Sequence, residues 1–255
     1  NYPFRREVAS EMKVAGGGAL LPVEAARVVP DGSSGPGRVA ALDGLRGLAV
    51  AAVVAYHLRL AGFEAGFLGV DLFFVISGFI ITARLLDEHA RRGAIDLPGF
   101  YRRRLWRLMP AVLVLVLLAF PITAAVAPEA LHRLATDAPA ALVYLSNVWQ
   151  LWSVQSYFET LGRDPVLRHL WSLSVEQHYY LLWPALMVLL LRWRGLGLVA
   201  FTALLLAGAS TAEMARLYTD DPLAANFAYL ATHTHAMGLL VGAALGVLAQ
   251  RRGWL

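Results

Sequence analysis

Long apolar blocks separated by short polar segments dominate this sequence. Blocks such as AVLVLVLLAF at 111–120 and LLWPALMVLLL at 181–191 contain no charged residue. About 20 mostly apolar residues in a helix match the hydrocarbon core of a bilayer. The pattern predicts about six membrane spans, at 42–60, 67–86, 109–126, 171–191, 196–214 and 233–250. We therefore expect an all-α fold, a polytopic transmembrane helical bundle.

Composition supports this interpretation. Hydrophobic residues make up 58% of the 255 residues, charged residues make up 16%, and the mean hydropathy is +0.56. Soluble domains are usually about 45–50% apolar and about 25% charged. The chain has no cysteine, which excludes disulfides and thiolate metal ligands. The pI near 9.6 comes from arginines beside the apolar blocks, an arrangement typical of topology signals, so we expect no nucleic-acid partner.

The basic clusters predict the orientation of the chain. They lie in the tail before 39, at 84–107, at 192–195 and at 250–253. Because Lys and Arg collect in short cytoplasmic loops, we expect all four in the cytoplasm and the protein in the cytoplasmic (inner) membrane. Residues 1–38, rich in Gly and Pro, are predicted to be a disordered cytoplasmic tail.

One apolar segment, PAALVYLSNVWQLW at 139–152, is short and contains Ser146, Asn147 and Gln150. If it crossed the membrane, the two later basic clusters would face outward, against the positive-inside rule. We therefore predict a re-entrant segment that dips in from the outer side, where irregular backbone must be enclosed by protein or water. The alternative is a full span with a weaker charge bias in the later loops.

Two ionisable residues stand out in the first apolar block, LRGLAVAAVVAYH. Arg46 and His57 are eleven positions apart, which on an α-helix gives an offset of about 20° and an axial separation of about 16 Å. Ionisable groups on one face inside a membrane usually mark a pathway or site. Glu176, in the outer half of the fourth predicted span, is expected to lie near His57 and orient it. The alternatives are snorkelling of the two ends and a helix-dipole role for Glu176.

A basic motif, FYRRRLWRLMP at 100–110, precedes the third predicted span. Arg104 and Arg107 are three positions apart and share a helix face, and paired guanidinium groups suit phosphate. Pro110 is expected in the first turn of the span. The alternative for the arginines is a topology anchor that also contacts anionic lipid.

The second predicted span carries a further polar set in GFLGVDLFFVISGFIIT. Asp71 is expected to cap the helix or to pair with a buried base, and Ser77 lies in mid-span. The small residues Gly69 and Gly78 are expected to permit close packing against other helices.

Together these motifs closely resemble the acyltransferase 3 family of integral membrane acyltransferases over about residues 40–250. The matching pieces, in order, are ALDGLRGLAVAAVVAYH, GVDLFFVISGFIIT, FYRRRLWRLMPA, YLSNVWQL and HLWSLSVEQHYYLLWP. Their order and spacing make the resemblance specific. The chain departs from the family at Gln177, where a second Glu is frequent, and at His235, where Arg is usual.

The resemblance implies a membrane-bound O-acyltransferase that moves an acyl group, commonly acetyl, from acyl-CoA to a hydroxyl of a carbohydrate or lipid-linked glycan. Acyl-CoA would be a co-substrate, with no permanently bound cofactor and no metal, and membrane lipids would surround the bundle. Family members usually have about ten spans, so residues 39–255 would be a membrane acyltransferase domain that is incomplete at its C-terminus.

The resemblance also implies roles for individual residues. Catalysis would fall to His57, Glu176 and Arg46, with His57 as general base or, alternatively, as covalent acyl carrier. The acyl donor would be bound by Arg104, Arg107 and Arg103. Possible supporting residues are Asp71, Ser77, Asn147, His169 and His235.

Functions of other classes stay open at this point. An Arg–His–Glu set inside a membrane also suits the proton relay of a proton-coupled transporter, although such a carrier needs no cytoplasmic phosphate clamp. The chain could also be a structural fragment without activity. Within the acyltransferase class, a small molecule such as a macrolide is the alternative acceptor.

Overall fold

The computed structural model describes residues 40–153, 165–193 and 195–253. The predicted tail at 1–38 lies outside the described residues. Within them the chain is helical and contains no strand, as the apolar pattern predicts. The ten α-helices of this part are α1 Ala40–His57, α2 Gly69–Arg92, α3 Leu97–Val126, α4 Leu131–Leu142, α5 Ser146–Trp152, α6 Leu170–Trp193, α7 Leu196–Leu217, α8 Pro222–Leu230, α9 Thr232–His235 and α10 Met237–Arg251.

Three stretches of helix are long and apolar enough to cross a membrane: Gly66–Arg92, Leu97–Val126 and Leu196–Leu217. They contain the spans predicted at 67–86, 109–126 and 196–214. The other three predicted spans fall on α1, α6 and α10, which are also helical, α10 being apolar but shorter. The number of crossings stays a prediction.

The basic segment predicted as a loop at 84–107 is almost entirely helical. Gly93, in the left-handed region at φ 70°, ends α2. Asp96 caps α3 by accepting a hydrogen bond from the backbone N–H of Gly99 over 2.9 Å. Helix therefore continues through most of this basic segment, because charge marks the membrane boundary and not the end of a helix. Its cytoplasmic side stays a prediction. Pro110 accordingly lies inside α3 and does not open it.

The segment at 139–152 is broken. Helix α4 ends at Leu142, Tyr144 has a positive φ of 58°, and α5 has seven residues. A helix of that length is about 10 Å long and cannot cross a bilayer. The structure therefore does not support a continuous span here, while the re-entrant course from the outer side stays a prediction. The polar residues of α5, Ser146, Asn147 and Gln150, are buried in the protein, whereas Val143 and Leu145 beside the break are exposed.

The most extensive helix contact is between α2 and α10. Glycines on α10 at 238, 242 and 246 follow one face at intervals of four residues. A methyl group on Gly242 would collide with the carbonyl oxygen of Val75, and one on Gly78 would collide with the carbonyl of Leu239. The two backbones therefore touch, as the small residue at Gly78 predicts.

The other helices assemble around this pair. Helix α10 also packs on α7, α1 packs on the beginning of α2, and α6 contacts α2, α3, α5 and α7. Gly69 permits the α1 contact, because a side chain there would meet the carbonyl of Ala49. The indole N–H of Trp183 on α6 donates to the hydroxyl of Thr82 on α2 over 2.9 Å. One face of α2 is thus fixed, and its other face is left to line an internal space.

We expect Gly242→Ala to destabilise the protein by about 1–3 kcal/mol, because the added methyl forces two backbones apart. Gly208→Ala on α7 is the matched control, since no described atom lies within 4 Å of its added methyl and alanine is the better helix former. Thermal unfolding of both variants in detergent provides the measurement. Equal midpoints for the two variants would contradict the close contact.

Candidate functional site

A cavity of about 370 Å³ lies among α1, α2, α3 and α6. Its apolar walls come mainly from Val50 and Val53 on α1, Val70 and Phe73 on α2, and Leu173 on α6. The volume is within the range of small-molecule sites.

Charged residues concentrate on the same lining. The four arginines are Arg46, Arg84, Arg104 and Arg107, and the two carboxylates are Asp43 and Glu176. Positive groups outnumber negative ones in a largely apolar surround, where charge interactions are stronger than in water. The cavity is therefore suited to an anionic ligand that also has an apolar portion.

Helical spacing explains how α1 contributes to this lining. Asp43, Arg46, Val50 and Val53 all line the cavity and follow one another at intervals of three or four residues, which places them on one helix face. His57 continues this row one turn beyond Val53. The structure thus agrees with the predicted common face of Arg46 and His57.

The polar centre of the cavity is a chain of three side chains. The guanidinium carbon of Arg104 lies 3.3 Å from the centroid of the Tyr180 ring. The hydroxyl of Tyr180 donates a hydrogen bond to the carboxylate of Glu176. Tyr180 and Glu176 are 3% and 5% exposed. Tyr180 therefore sets the position of both a cation and an anion.

Arg46 is held in a similar way. Its guanidinium carbon lies 4.5 Å from the centroid of the Phe73 ring. The Nε atoms of Arg46 and Arg104 are buried and have no hydrogen-bond partner among the described residues. Aromatic faces stabilise cations without using their N–H donors. Both guanidinium groups therefore keep donors for a ligand.

His57 lies at the end of α1, beyond the cavity-lining residues. Its Nδ1–H donates to the carbonyl oxygen of Val53 over 2.8 Å. Because a carbonyl can only accept, the neutral imidazole carries its lone pair on Nε2. The ring of His169 packs edge-on against it at a centroid distance of 4.5 Å.

The orienting role of Glu176 toward His57 stays a prediction, and the structure gives Glu176 a different hydrogen-bond partner. Within the described chain no hydrogen bond or ion pair joins them, and the hydrogen bond of Glu176 is to Tyr180. The position of Glu176 along its helix predicts its depth in the membrane but not its hydrogen-bond partner. That partner, Tyr180, lies four residues later on the same helix. Through Tyr180, Glu176 is linked to Arg104.

Two predicted supporting residues, Asp71 and His235, form a pair in which the histidine is buried and the carboxylate is partly exposed. Nε2 of His235 lies 3.3 Å from Oδ1 of Asp71, and His235 is 7% exposed. The rings of Phe74, Trp171 and Tyr229 surround the imidazole at centroid distances of 5.9, 5.1 and 5.1 Å. This confirms that Asp71 pairs with a buried base, and the pair ties α2 to the end of α9.

Asn147 connects the short helix α5 to the α8–α9 junction. Its side-chain N–H groups donate to the carbonyl of Leu230 over 3.1 Å and to the hydroxyl of Thr232 over 2.9 Å. The same hydroxyl lies 2.8 Å from Nδ1 of His178. Asn147 thus has a positioning role in the bundle and lies apart from the cavity lining.

Two predicted site residues remain, one in the cavity lining and one outside it. Ser77 lines the cavity and is buried. Arg103 does not line it, and its guanidinium faces the helix-capping Asp96 at 3.8 Å. No group of three or more potential metal ligands occurs in the described residues.

Sequence reasoning missed several lining residues, among them Tyr180, Asp43 and Arg84. Tyr180 is four residues from Glu176, a spacing that puts both on one helix face. Asp43 is three residues from Arg46 and follows the same rule. Arg84 had no such signal, because it was assigned to a loop and counted as a topology residue.

Comparisons with known proteins agree with this architecture. The acyltransferase domain family matches residues 39–252. The peptidoglycan O-acetyltransferase OatA of Listeria monocytogenes serovar 1/2a is 40% identical over 210 residues, which are 81% of this chain and 33% of that protein. The O-acetyltransferase OatA of Staphylococcus aureus strain NCTC 8325 is 45% identical over 150 residues, which are 59% of this chain and 25% of that protein. No solved structure shows significant similarity.

The chain therefore belongs to the acyltransferase 3 family, as its motifs predict. Its long apolar helices identify it as an integral membrane protein. It spans a third or less of the length of the two relatives described above.

We expect Tyr180→Phe to lower the free energy of unfolding by about 1–3 kcal/mol, because it leaves a buried carboxylate without its donor. The phenyl ring keeps the face on which Arg104 lies. In a Glu176→Ala background the same change should cost much less, since the acceptor is already gone. Unfolding of the four members of this double-mutant cycle gives the coupling, and additive effects would contradict a direct hydrogen bond.

Proposed function

We propose that this chain is the membrane domain of an O-acetyltransferase that moves an acetyl group from acetyl-CoA to a hydroxyl of a cell-wall glycan, with peptidoglycan as the acceptor. The observation that carries the proposal is the arginine-lined cavity of an acyltransferase-family bundle. The names of the two relatives support O-acetyl transfer, and one of them supports peptidoglycan.

The donor fits the basic end of the cavity. Its phosphates suit Arg104 and Arg107, whose fork-shaped N–H groups bind phosphate oxygens in pairs. Its pantetheine arm suits the apolar walls formed by residues such as Val53 and Phe73. By the positive-inside rule this end faces the cytoplasm, where acetyl-CoA is made, and the N-terminus lies on the same side of the inner membrane.

The acceptor fits the end marked by His57. Nε2 of the neutral ring takes the proton of the attacking hydroxyl. The hydroxyl oxygen forms a bond to the carbonyl carbon of the thioester, the C–S bond breaks, and the departing thiolate receives the proton. The products are an acetyl ester and CoA. Glu176 and Tyr180 position the donor arginines.

The direct test uses the full-length protein in sealed membrane vesicles of known orientation. Acetyl-CoA is supplied on the cytoplasmic side, and ester-linked acetate on peptidoglycan fragments is measured by mass spectrometry. We expect acetylated product only when donor and protein are both present. Proton uptake without any ester would favour a proton-coupled transporter.

We expect His57→Asn to lower the acetyl-transfer rate by about 10²–10⁴, the usual contribution of a general base. The asparagine amide can still donate to Val53 but cannot act as a base, so the structural hydrogen bond is kept. The control is His132→Asn at an exposed position of α4. Retention of a tenth or more of the wild-type rate would remove His57 from the base role.

We expect the Arg104→Lys, Arg107→Lys double variant to insert in the same orientation, because the positive charge is kept. Its affinity for acetyl-CoA should fall by roughly tenfold, since lysine loses both the bidentate fork and the planar stacking on Tyr180. Added salt should weaken donor binding by the wild type through screening. Unchanged affinity, measured by equilibrium binding in detergent, would show that the two arginines are topology anchors.

A further inference from the structure

Arg84 is the least explained cation of the cavity. It lies on α2 and lines the same space as Arg104 and Arg107 on α3. Its side chain is exposed and makes no hydrogen bond or ion pair within the part of the chain that the structure describes. The proposed function assigns it no role.

The absence of a partner is informative because carboxylates are close along the helix. Asp87 and Glu88 are three and four residues from Arg84, the spacings at which helical ion pairs form. Both carboxylates pair instead with arginines one turn later. Asp87 pairs with Arg91, and Glu88 pairs with Arg92 over 3.2 Å. Arg91 and Arg92, in the last turn of α2, are thus paired with carboxylates of their own helix, whereas Arg84 is not.

The direction of helical side chains explains this difference. Side chains in an α-helix tilt toward its N-terminus. Arg84 therefore leans away from Asp87 and Glu88 and toward Ile80 and Ser77, which line the cavity one and two turns earlier. The guanidinium reaches the space lined by Arg104 and Arg107, which have no carboxylate within four residues on their own helix.

We propose that Arg84 binds a phosphate of the thioester donor, so that the donor's phosphates are held from two helices, by Arg84 on α2 and by Arg104 and Arg107 on α3. This inference rests on the proposed function and deepens it. Phosphates bound from both helices hold the donor at one depth in the cavity, whereas phosphates bound to α3 alone can shift along it. The chemistry recognised is a phosphorylated thioester, and a phospholipid headgroup is the competing source of phosphate.

The test compares Arg84→Gln with Arg91→Gln in the full-length protein. The two changes remove the same charge from the same helix, but Arg91 is already paired with Asp87. Binding of CoA and of phosphate-free pantetheine is measured in nanodiscs of phosphatidylcholine, which has no net charge, at physiological salt. We expect Arg84→Gln to weaken CoA binding by roughly five- to tenfold, with little change for Arg91→Gln and none for pantetheine.

Each other outcome overturns the proposal in a distinguishable way. Equal CoA affinities of the two variants, with CoA bound by the wild type, would remove Arg84 from the site and leave the donor assignment standing. An equal loss of pantetheine affinity would show that Arg84 shapes the cavity and does not bind phosphate. Weaker binding of phosphatidylglycerol added to these nanodiscs, with CoA binding unchanged, would make it a lipid anchor. A wild type that binds no CoA would overturn the proposed donor together with Arg84.

Discussion

The contact of backbone on backbone between α2 and α10 is the constraint on which the rest of the bundle depends. It uses the face of α2 that carries Val75, Gly78 and Phe79. The opposite face, which includes Phe73 and Ser77, is therefore turned toward α1, α3 and α6, where it forms a wall of the cavity. Helices in lipid gain little from the hydrophobic effect and associate through close packing. Because close packing fixes one face of α2, its other face can carry polar groups into the cavity while the helix keeps its position in the bundle.

Cations in such a cavity raise an energetic problem that aromatic rings solve. Arginine in an apolar setting is costly unless its charge is compensated. A carboxylate partner would compensate it but would also occupy the N–H donors. Phe73 and Tyr180 provide negative ring faces to Arg46 and Arg104 and leave those donors available. The single carboxylate at the centre, Glu176, is held by a tyrosine hydroxyl rather than by an arginine.

Periodicity and charge predict much of this arrangement, and their failures have physical reasons. The face shared by Arg46 and His57 follows from residues per turn, a property of one helix. The partner of Glu176 depends on which rotamer the packed helix allows, and no spacing rule ranks Tyr180 above a distant histidine. Positive charge near a membrane boundary is common to anchors, surface pairs and binding sites, so the sequence alone does not distinguish Arg103, which faces Asp96, from Arg84, which lines the cavity. Only tertiary packing distinguishes a topology anchor, a surface ion pair and a binding residue.

The hydrogen bonds of Asn147 constrain the order in which the helices assemble during synthesis. Its partners, the carbonyl of Leu230 and the hydroxyl of Thr232, lie 83 and 85 residues later in the sequence. A seven-residue helix has too few internal hydrogen bonds to be stable alone. During synthesis, α5 therefore emerges long before the groups that satisfy it. Its amide must remain hydrated or in contact with the insertion machinery until α8 and α9 have followed, so that the broken segment takes its final position only after these two helices have been made.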